Sequence, residues 1–579
     1  MKRHAIRNTI LAMTMAAALA VTGCGPSILN EESSAAETQE PESSVIESIN
    51  ESEAESPAAE AESTQEAVAA EPAAEAPVEE TPAAQEAAGE EAAEPEGGKA
   101  LSVVIGTNMF YEYDEAAGKQ ICSVTYPSVS LSDGDKALYP NLVTALEGKN
   151  GKYRRDAESS FETLKNEVRQ YENISDETFG GYTDEKTFSV IRADDTVLSL
   201  GGLGWTFTGG AHPLYTYVSL NLDPETGREL SVRDIATDPV ALIDKVKEVL
   251  AAQHPGLEEN LTDSADMVSE GIVDQMAWTL GYDSFTMRFG AGQIDATAAG
   301  PVIVSVPLAG NEALFNEKYL TKPESYGIEL IDNNVDLDAD GDGDLEHLEL
   351  APLYDEESGD FSCIATMKIT LDENTTEDTG LQAFEFRPYI VHTFGKTFLY
   401  VQYGLIDDVS ETAVFDLTGG TPVPVGRLPY RTYHTYTQDA EGNGTDCRYA
   451  YSDPEAAVLG MRSEVLGTNS AYAYVHTGED GLPVVDDGIY LVRMVLNNPM
   501  TLKQEIEGDQ IDPATKEVTG KITLPAGLTV DPYRTDQQTF VEIKTEDGNI
   551  VRFAYTPGFP SYVNGIDTQE VFENIMYAG

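Results

Sequence analysis

The sequence predicts two folded units of different class, an α+β unit over residues 100–322 and a mostly β unit over residues 323–579. Three observations support this division. Amphipathic helical periodicity occurs among β-rich runs in the first unit, whereas the second unit consists of short β-rich runs between turn residues. Residues 25–99 show neither pattern, because Ala, Glu, Ser and Pro dominate them. We therefore expect a tether there rather than a third domain.

The charge of the chain excludes several classes of protein. The 579 residues include 35 Lys and Arg against 101 Asp and Glu, a formal net charge of −66. Such a surface repels phosphate, so no nucleic-acid partner is expected. Four cysteines are too few for a disulfide-stabilised small domain, and 41% hydrophobic residues leave no room for many membrane spans.

Residues 1–24 have the form of an export signal. A basic start precedes the apolar stretch 10–21, which at about a dozen residues is too short to span a bilayer. Val21-Thr22-Gly23-Cys24 resembles the lipobox of bacterial lipoproteins, in which the signal is cleaved before a cysteine whose sulfur is then acylated. The alternative is an ordinary secretory signal with an incidental cysteine. We expect lipid attachment at Cys24 and a membrane-anchored lipoprotein on the extracytoplasmic face.

Residues 25–99 are predicted to form a disordered acidic stalk. They contain 21 Glu and no aromatic residue, so they bury too little apolar surface to offset the entropy lost on ordering. Neighbouring Glu side chains repel one another, and repeated Pro interrupts any helix. The stalk would therefore hold the folded part away from the membrane.

The first folded unit is predicted to be an antiparallel sheet with helices on one face. One helix is indicated by apolar residues at helical spacing, Phe161, Leu164, Val168 and Tyr171. A second helix should begin with Asp238 as N-cap and Pro239 at the first position, and should bury Leu242, Ile243, Val246 and Leu250. Strands are predicted at 101–105, 121–129, 188–191, 196–200, 214–222 and 302–307.

Three local signatures relate this unit to a known family. Gly209-Gly210-Ala211-His212 precedes a strand at 215–222, the turn 223–227 and the run Arg228-Glu229-Leu230-Ser231-Val232-Arg233-Asp234-Ile235. The third signature is Phe285-Thr286-Met287-Arg288-Phe289 followed by Ala299-Gly300-Pro301 and a strand. Residues 100–310 resemble the extracellular domain shared by RsiV-type anti-sigma factors, which sense lysozyme, and PdaC-type peptidoglycan deacetylases. The resemblance implies an envelope-facing domain.

The sequence departs from both relatives. The predicted cleaved signal would replace the spanning helix and cytoplasmic segment of the anti-sigma factors. The deacetylase metal site uses a His-x-x-x-His pair, and no two histidines here lie four apart. Thr297 and Ala298 stand where the family has an aromatic residue before Ala-Gly-Pro. Gly209, Gly210 and His212 are candidate ligand-binding residues. The favoured alternative is that the two glycines form a tight bend or bulge and that His212 caps local backbone.

The second unit contains a predicted calcium loop. Its sequence fits D-x-D-x-D-G-x5-E, with Gly at the sixth position for a sharp turn, and its candidate ligands are Asp338, Asp340, Asp342, Asp344, Glu346 and Glu349. A register that starts at Asp336 would place His347, a poor Ca²⁺ ligand, at position twelve. Carboxylate and carbonyl oxygens suit a hard cation. The alternative is an acidic β-turn in an acidic protein.

The residues around the loop predict flanking strands rather than helices. Apolar and polar residues alternate on both sides. Along a strand, Glu346 and Glu349 would lie about 10 Å apart, too far to bind one ion. We expect Glu346 to close the site and Asp344 to contribute its backbone carbonyl. This segment resembles the helix-less loops of FG-GAP-like propeller repeats.

The remaining chain is predicted to form a small propeller or a sandwich. Candidate strands lie at 362–369, 389–392, 397–403, 413–417, 488–494, 539–545 and 550–555. Cys363 and Cys447 could form a disulfide outside the cell, which would leave Cys122 unpaired.

The functional prediction is a non-enzymatic cell-surface lipoprotein. No nucleophile elbow, zinc-protease motif, P-loop or dinucleotide fingerprint is present. The expected partner is peptidoglycan or a cationic wall-lytic protein such as lysozyme, which an acidic surface would attract. The alternative is a calcium-stabilised structural or adhesive module without a specific ligand. A cell-wall hydrolase or deacetylase accessory is the least favoured reading.

Overall fold

The computed structural model describes residues 98–170, 174, 179–209, 212–296, 300–355, 363–405, 409–438, 443–494 and 499–577. These residues belong to one compact unit. The predicted signal, Cys24 and almost all of the predicted stalk lie outside them. Among the described residues, no helix has both the length and the apolar character needed to cross a membrane.

Helices are concentrated in residues 133–269. Within the described ranges, the α-helices are α1 Asp133–Leu138, α2 Pro140–Val168, α3 Val232–Ile235, α4 Pro239–Gln253, α5 Ser264–Ser269 and α6 Thr568–Val571. The long helix α2 buries Leu164 and Val168, as the predicted spacing requires, and Tyr171 lies outside the described residues. Helix α4 begins where the sequence predicts, because the Asp238 side chain accepts hydrogen bonds from the backbone of Val240 and Ala241.

Strands are the predominant regular element among the described residues. Residues 98–322 contain β1 Val103–Asp114, β2 Lys119–Leu131, β3 Tyr182–Lys186, β4 Ser189–Ala193, β5 Leu198–Phe207, β6 Leu214–Leu222, β7 Ala277–Leu280, β8 Ser284–Phe289 and β9 Val302–Pro307. The next group is β10 Tyr326–Glu329, β11 Asn334–Leu337, β12 Glu346–Tyr354, β13 Ile364–Leu371, β14 Asn374–Thr393, β15 Lys396–Leu405, β16 Ser410–Asp416 and β17 Val423–Leu428.

The C-terminal strands are shorter on average. They are β18 Arg431–Thr432, β19 His434–Gln438, β20 Gly444–Tyr449, β21 Ala457–Ser463, β22 Asn469–Thr477, β23 Pro483–Val485, β24 Tyr490–Arg493, β25 Met500–Leu502, β26 Ile506–Ile511, β27 Val518–Leu524, β28 Thr529–Thr535, β29 Phe540–Thr545, β30 Ile550–Thr556, β31 Tyr562–Val563, β32 Ile566–Asp567 and β33 Phe572–Glu573. The strand-rich character that the sequence predicts is confirmed.

The strands form several sheets in which antiparallel pairing predominates. One eight-stranded sheet has the order β19-β20-β1-β2-β3-β5-β4, with β6 beside β5, and its β2–β3 pair is parallel. A second has the order β11-β12-β13-β14-β15-β16-β17, with β10 beside β14. The strands β7, β8 and β9 form a small sheet, and fourteen C-terminal strands form the largest one. The α+β class of the first segment and the propeller or sandwich class of the second stay predictions.

The two predicted folded units share a sheet. Strand β20 pairs with β1, so that Gly106 lies opposite Cys447. Within the second segment, Arg448 on β20 forms a buried ion pair with Glu329 on β10. Glu329 in turn accepts a hydrogen bond from the backbone of Val190 at 3.1 Å. Residues from both sides of position 322 therefore belong to the same sheet, and the sheet does not end at the predicted boundary between the units.

The core that supports the functional region lies around the small sheet. The buried face of α4, predicted from its spacing, packs with Phe285, Met287 and Val304 of that sheet. These apolar side chains occupy alternate positions on their strands, which is the pattern of a sheet with one face in the core. The opposite face of β8 carries Ser284, Thr286 and Arg288.

Candidate metal centre

The predicted calcium loop joins two antiparallel strands. Strand β11 pairs with β12, and Leu337 lies directly opposite Glu346. Leu337, Leu348 and Leu350 are buried at alternating positions, so their apolar side chains hold the hairpin against the core. The loop 338–345 therefore projects from the end of a hairpin that tertiary packing fixes, and strands flank it as predicted.

Three carboxylates of the loop converge. The ligand oxygens of Asp338, Asp340 and Glu346 all lie within 4.8 Å of one another. Asp338 and Glu346 are half-buried, whereas Asp340 is exposed. Carboxylate oxygens are the ligands of hard divalent cations, and Ca²⁺ completes its six to eight ligands with backbone carbonyls and water. This donor set fits Ca²⁺, and it lacks the sulfur or imidazole ligands typical of Zn²⁺.

Backbone hydrogen bonds hold the carboxylates in place. The N–H of Ala339 donates to Glu346 Oε2 at 2.7 Å, which ties the end of the loop to its beginning. The N–H of Gly341 donates to Asp338 Oδ1 at 2.7 Å, and the N–H of Asp342 donates to Asp340 Oδ1 at 3.1 Å. Such local bonds between acidic side chains and backbone are typical of tight turns. The loop is therefore arranged before any ion binds.

Gly343 supplies the sharp turn that the calcium-loop pattern requires at position six. Its φ is 94°, in the left-handed region that favours glycine. A Cβ added there would also lie 3.1 Å from the Ala309 Cβ, closer than an ordinary van der Waals contact. A larger residue at this position would therefore distort the loop.

The electrostatics of the loop favour a cation. Burial raises the pKa of Glu346, and the neighbouring charges of Asp340, Asp338 and Asp342 raise it further, while the N–H of Ala339 opposes the shift. Carboxylates that share a small volume repel one another in their ionised forms. A divalent cation between the carboxylates would replace their mutual repulsion with attraction to the ion. Binding of such a cation is therefore electrostatically favourable.

The structure separates the two glutamates that the sequence offers as the closing ligand. Glu349 lies opposite Asn334, three residues along β12 from Glu346 and on the exposed part of the strand. At about 3.3 Å per residue, the two glutamates are separated by about 10 Å. Only Glu346 joins Asp338 and Asp340. Asp342 and Asp344 lie outside this group of three, and Asp342 Oδ1 accepts a hydrogen bond from the N–H of Asp344 at 2.9 Å.

A side-chain pair argues against the register that starts at Asp336. Asp336 lies opposite His347 on the hairpin, and His347 Nδ1 lies 2.8 Å from Asp336 Oδ1. This contact with Asp336 raises the pKa of His347 even though burial opposes it. Neither residue is a member of the three-carboxylate group, so His347 does not take position twelve of a metal loop.

Two other predicted binding residues, Gly209 and His212, lie between β5 and β6. Gly209 has a φ of 84°, and His212 is exposed, while Gly210 lies outside the described residues. This geometry agrees with the bend that the sequence allows, and the candidate role of Gly209, Gly210 and His212 in ligand binding stays a prediction.

The predicted disulfide is not formed. Cys447 is a free thiol on β20, so it is not joined to Cys363, which precedes β13 in a different sheet. The β-sheet pairing of β20 with β1 places Cys447 beside Gly106 instead. Cys122 is a buried free thiol, and burial raises its pKa to about 11, so it is mostly in the unreactive thiol form at neutral pH.

Sequence reasoning missed one polar group. Arg288 lies on β8, where polar residues alternate with buried apolar ones, and this alternation normally indicates a solvent-facing side. In the structure the Nε atom of Arg288 is buried. The sequence feature that could have indicated this buried group is an arginine at an alternate position of a strand whose other residues are neutral.

Comparison with known proteins finds partial structural similarity. No protein-family model and no curated protein sequence matches this chain. A DUF3298 family protein from Pseudomonas aeruginosa PAO1 aligns with a TM-score of 0.27 and 13% identity, covering 39% of this chain and 99% of that chain. A member of the DUF3298 family from Bacteroides fragilis NCTC 9343 aligns with a TM-score of 0.25 and 19% identity, covering 38% of this chain and 96% of that chain. Similarity at this level assigns no activity to this chain.

Proposed function

We propose that this protein is a non-enzymatic cell-surface lipoprotein whose folded part binds Ca²⁺ at the hairpin loop 338–346 and presents a binding surface to an envelope partner. The observation that carries the proposal is the convergence of Asp338, Asp340 and Glu346 within 4.8 Å on a hairpin held by buried leucines. In this proposal Cys24 carries the lipid anchor, and the acidic stalk holds the folded part away from the membrane. The ion stabilises the loop by offsetting the repulsion between its carboxylates.

The envelope partner is proposed to be cationic. The formal net charge of −66 would attract a basic wall-lytic protein such as lysozyme and would disfavour anionic wall polymers. Peptidoglycan is the second candidate, because the resemblance of residues 100–310 includes wall-modifying enzymes. Gly209, Gly210 and His212 are the proposed contact residues of that segment. If the partner is lysozyme-like, its association should weaken steeply as salt rises above about 0.15 M.

Calcium binding is tested by thermal unfolding of the full chain in detergent. Ca²⁺ should raise the melting temperature, and Mg²⁺ at the same concentration should raise it less, because Mg²⁺ requires a tighter octahedral arrangement. The double variant Asp338→Ala plus Asp340→Ala should remove the effect of Ca²⁺. A melting temperature that is the same with Ca²⁺ and with a chelator would refute calcium binding.

The partner is tested separately by affinity capture. The full chain is immobilised and exposed to purified lysozyme and to peptidoglycan at low and at moderate ionic strength, with and without Ca²⁺. Binding of lysozyme that decreases with salt supports the cationic partner, and binding of peptidoglycan supports the wall polymer. Capture of neither at low ionic strength would leave the calcium-stabilised structural or adhesive module as the function.

A further inference from the structure

A cavity of about 370 Å³ lies between the small sheet and the β10–β12 segment. Strands β8 and β9 form one wall through Ser284, Thr286, Arg288, Ile303 and Ser305. The opposite wall consists of residues 328–331 and 334–337, with His347 at its edge. The volume is within the range of small-molecule binding sites.

Three hydroxyl groups form a connected row on one wall. The Oγ of Ser284 lies 3.2 Å from the Oγ1 of Thr286, which lies 3.3 Å from the Oγ of Ser305. All three residues are buried. Because each hydroxyl can both donate and accept a hydrogen bond, the row can bind either donors or acceptors of a ligand.

The carboxylates that line the cavity each have a basic partner, and His347 is charged only when it is protonated. The pairs are Asp283 with Lys322 at 2.8 Å, Asp336 with His347 at 2.8 Å, and Glu329 with Arg448. A paired carboxylate still accepts hydrogen bonds, but it offers little net charge to a ligand. These acids therefore do not by themselves favour a cationic ligand.

Arg288 is the cation of the cavity wall without a direct counter-ion. Its Nη1 donates to Thr279 Oγ1 at 2.9 Å. Its Nε is buried and has no hydrogen-bond partner among the described residues. Asp332 and Asp336 act on it over a longer distance, and Asp332 is already bound by the Tyr217 hydroxyl at 3.2 Å. A buried donor without an acceptor is unfavourable, so an acceptor from a ligand would be favoured there.

The neighbouring acids limit the charge that such a ligand can carry. Asp332 and Asp336 lie near enough to act on Arg288 electrostatically, so a dianionic group such as a phosphate would meet two like charges. A single carboxylate matches the planar guanidinium and carries half that charge. The apolar side chains of Ile191, Ile303 and Ile331 complete the lining and suit a short aliphatic group.

We propose that this cavity binds a small organic carboxylate of about dipeptide size, with its carboxylate at Arg288 and its N–H or O–H donors at the hydroxyl row and Asp336. The site is separate from the calcium loop and from any envelope protein, so it goes beyond the proposed function. Strand β11 nevertheless forms part of the cavity wall and leads directly into Asp338, which allows Ca²⁺ to influence the affinity.

The test uses equilibrium dialysis of the full chain in detergent against two probe mixtures. One mixture contains alanyl dipeptides with free C-terminal carboxylates, and the other contains the same dipeptides as C-terminal amides. Retained peptide is measured by mass spectrometry. We expect the free acids to be retained at least tenfold more strongly than the amides, and Arg288→Gln to lose at least tenfold of that retention. Arg155→Gln, at an exposed position of α2, is the matched control and should retain them unchanged.

Circular dichroism and the melting temperature show whether Arg288→Gln folds. If it does not, Ile303→Phe decides the question, because it enlarges a half-buried side chain of the cavity wall without breaking an ion pair. That variant should lose retention of the free acids. Equal retention of acids and amides, full retention by a folded Arg288→Gln or by Ile303→Phe, or no retention of either mixture would overturn the proposal. Calcium binding is measured independently, so its failure would be distinguishable.

Discussion

Replacing Glu346 with Gln should weaken calcium binding strongly, whereas replacing Glu349 with Gln should not. The structure places Glu346 with Asp338 and Asp340, and it places Glu349 three residues further along the strand. Both substitutions remove one negative charge from the same exposed hairpin, so each is the control for the other. The comparison isolates direct ligation from the general effect of charge.

The expected magnitude follows from the geometry. A carboxylate and a divalent cation 4 Å apart attract by about 8 kcal/mol at an effective dielectric constant of 20, and loss of water from both groups offsets most of this. A net loss of about 2.7 kcal/mol corresponds to a hundredfold rise in Kd. Glu349 lies about 10 Å along the strand, beyond the Debye length of about 8 Å at physiological salt. Its replacement should change Kd by less than about twofold.

The assay is unfolding by urea at a Ca²⁺ concentration of one hundred times the wild-type Kd. Ca²⁺ should then stabilise the wild type and Glu349→Gln by about 2.7 kcal/mol, but Glu346→Gln by only about 0.4 kcal/mol. In the presence of a chelator, Glu346→Gln should be at least as stable as the wild type, because the substitution removes a repelling charge. Equal loss of Ca²⁺ stabilisation in both variants, or a larger loss in Glu349→Gln, would refute the assignment of Glu346 as closing ligand.

Three further predictions concern stability. Glu329→Gln should destabilise the protein by about 3–5 kcal/mol in urea unfolding, because it leaves the buried guanidinium of Arg448 without its charged partner. The control Glu158→Gln, which breaks an exposed ion pair on α2, should cost less than about 1 kcal/mol. Similar losses in the two variants would contradict the role of burial. Asp238→Ala should cost about 1 kcal/mol through the lost helix cap, and Asp238→Asn should restore most of it; no change in either would show that the cap is unimportant. The pKa of Glu185 is raised to about 7 by burial and, to a smaller extent, by the charge of Asp184. The folded protein therefore favours the protonated form of Glu185. Its contribution to stability declines as pH rises from about 4.5 to about 7. Glu185→Gln should therefore be more stable than the wild type by about 3 kcal/mol at pH 8 but not at pH 4, and a difference independent of pH would contradict this.

The sequence located individual elements well where local physics determines them. The strands at 214–222 and 302–307 begin and end as predicted, because alternating or β-branched runs are bounded by turn residues. Helix α4 begins at Pro239 because its capping aspartate and its proline act within a few residues. In the same way, the loop pattern with Gly343 predicted a converging set of carboxylates, and the strand spacing favoured Glu346 over Glu349.

Tertiary structure decided what joins distant parts of the chain. The pairing of β20 with β1, which places Cys447 beside Gly106, involves residues more than three hundred positions apart, and no local pattern specifies such a partner. That pairing places Cys447 in a different sheet from β13, the strand that follows Cys363, and the predicted disulfide does not form.

The polar face of β8 shows most clearly that local sequence does not specify long-range packing. Alternation along the sequence determined that Ser284, Thr286 and Arg288 share one face, because successive side chains of a strand point to opposite sides. Whether that face meets water or encloses a cavity depends on the segment 328–337, which packs against it. The sequence alone thus determined the faces of the strands, and the packing of distant strands decided which faces became sites.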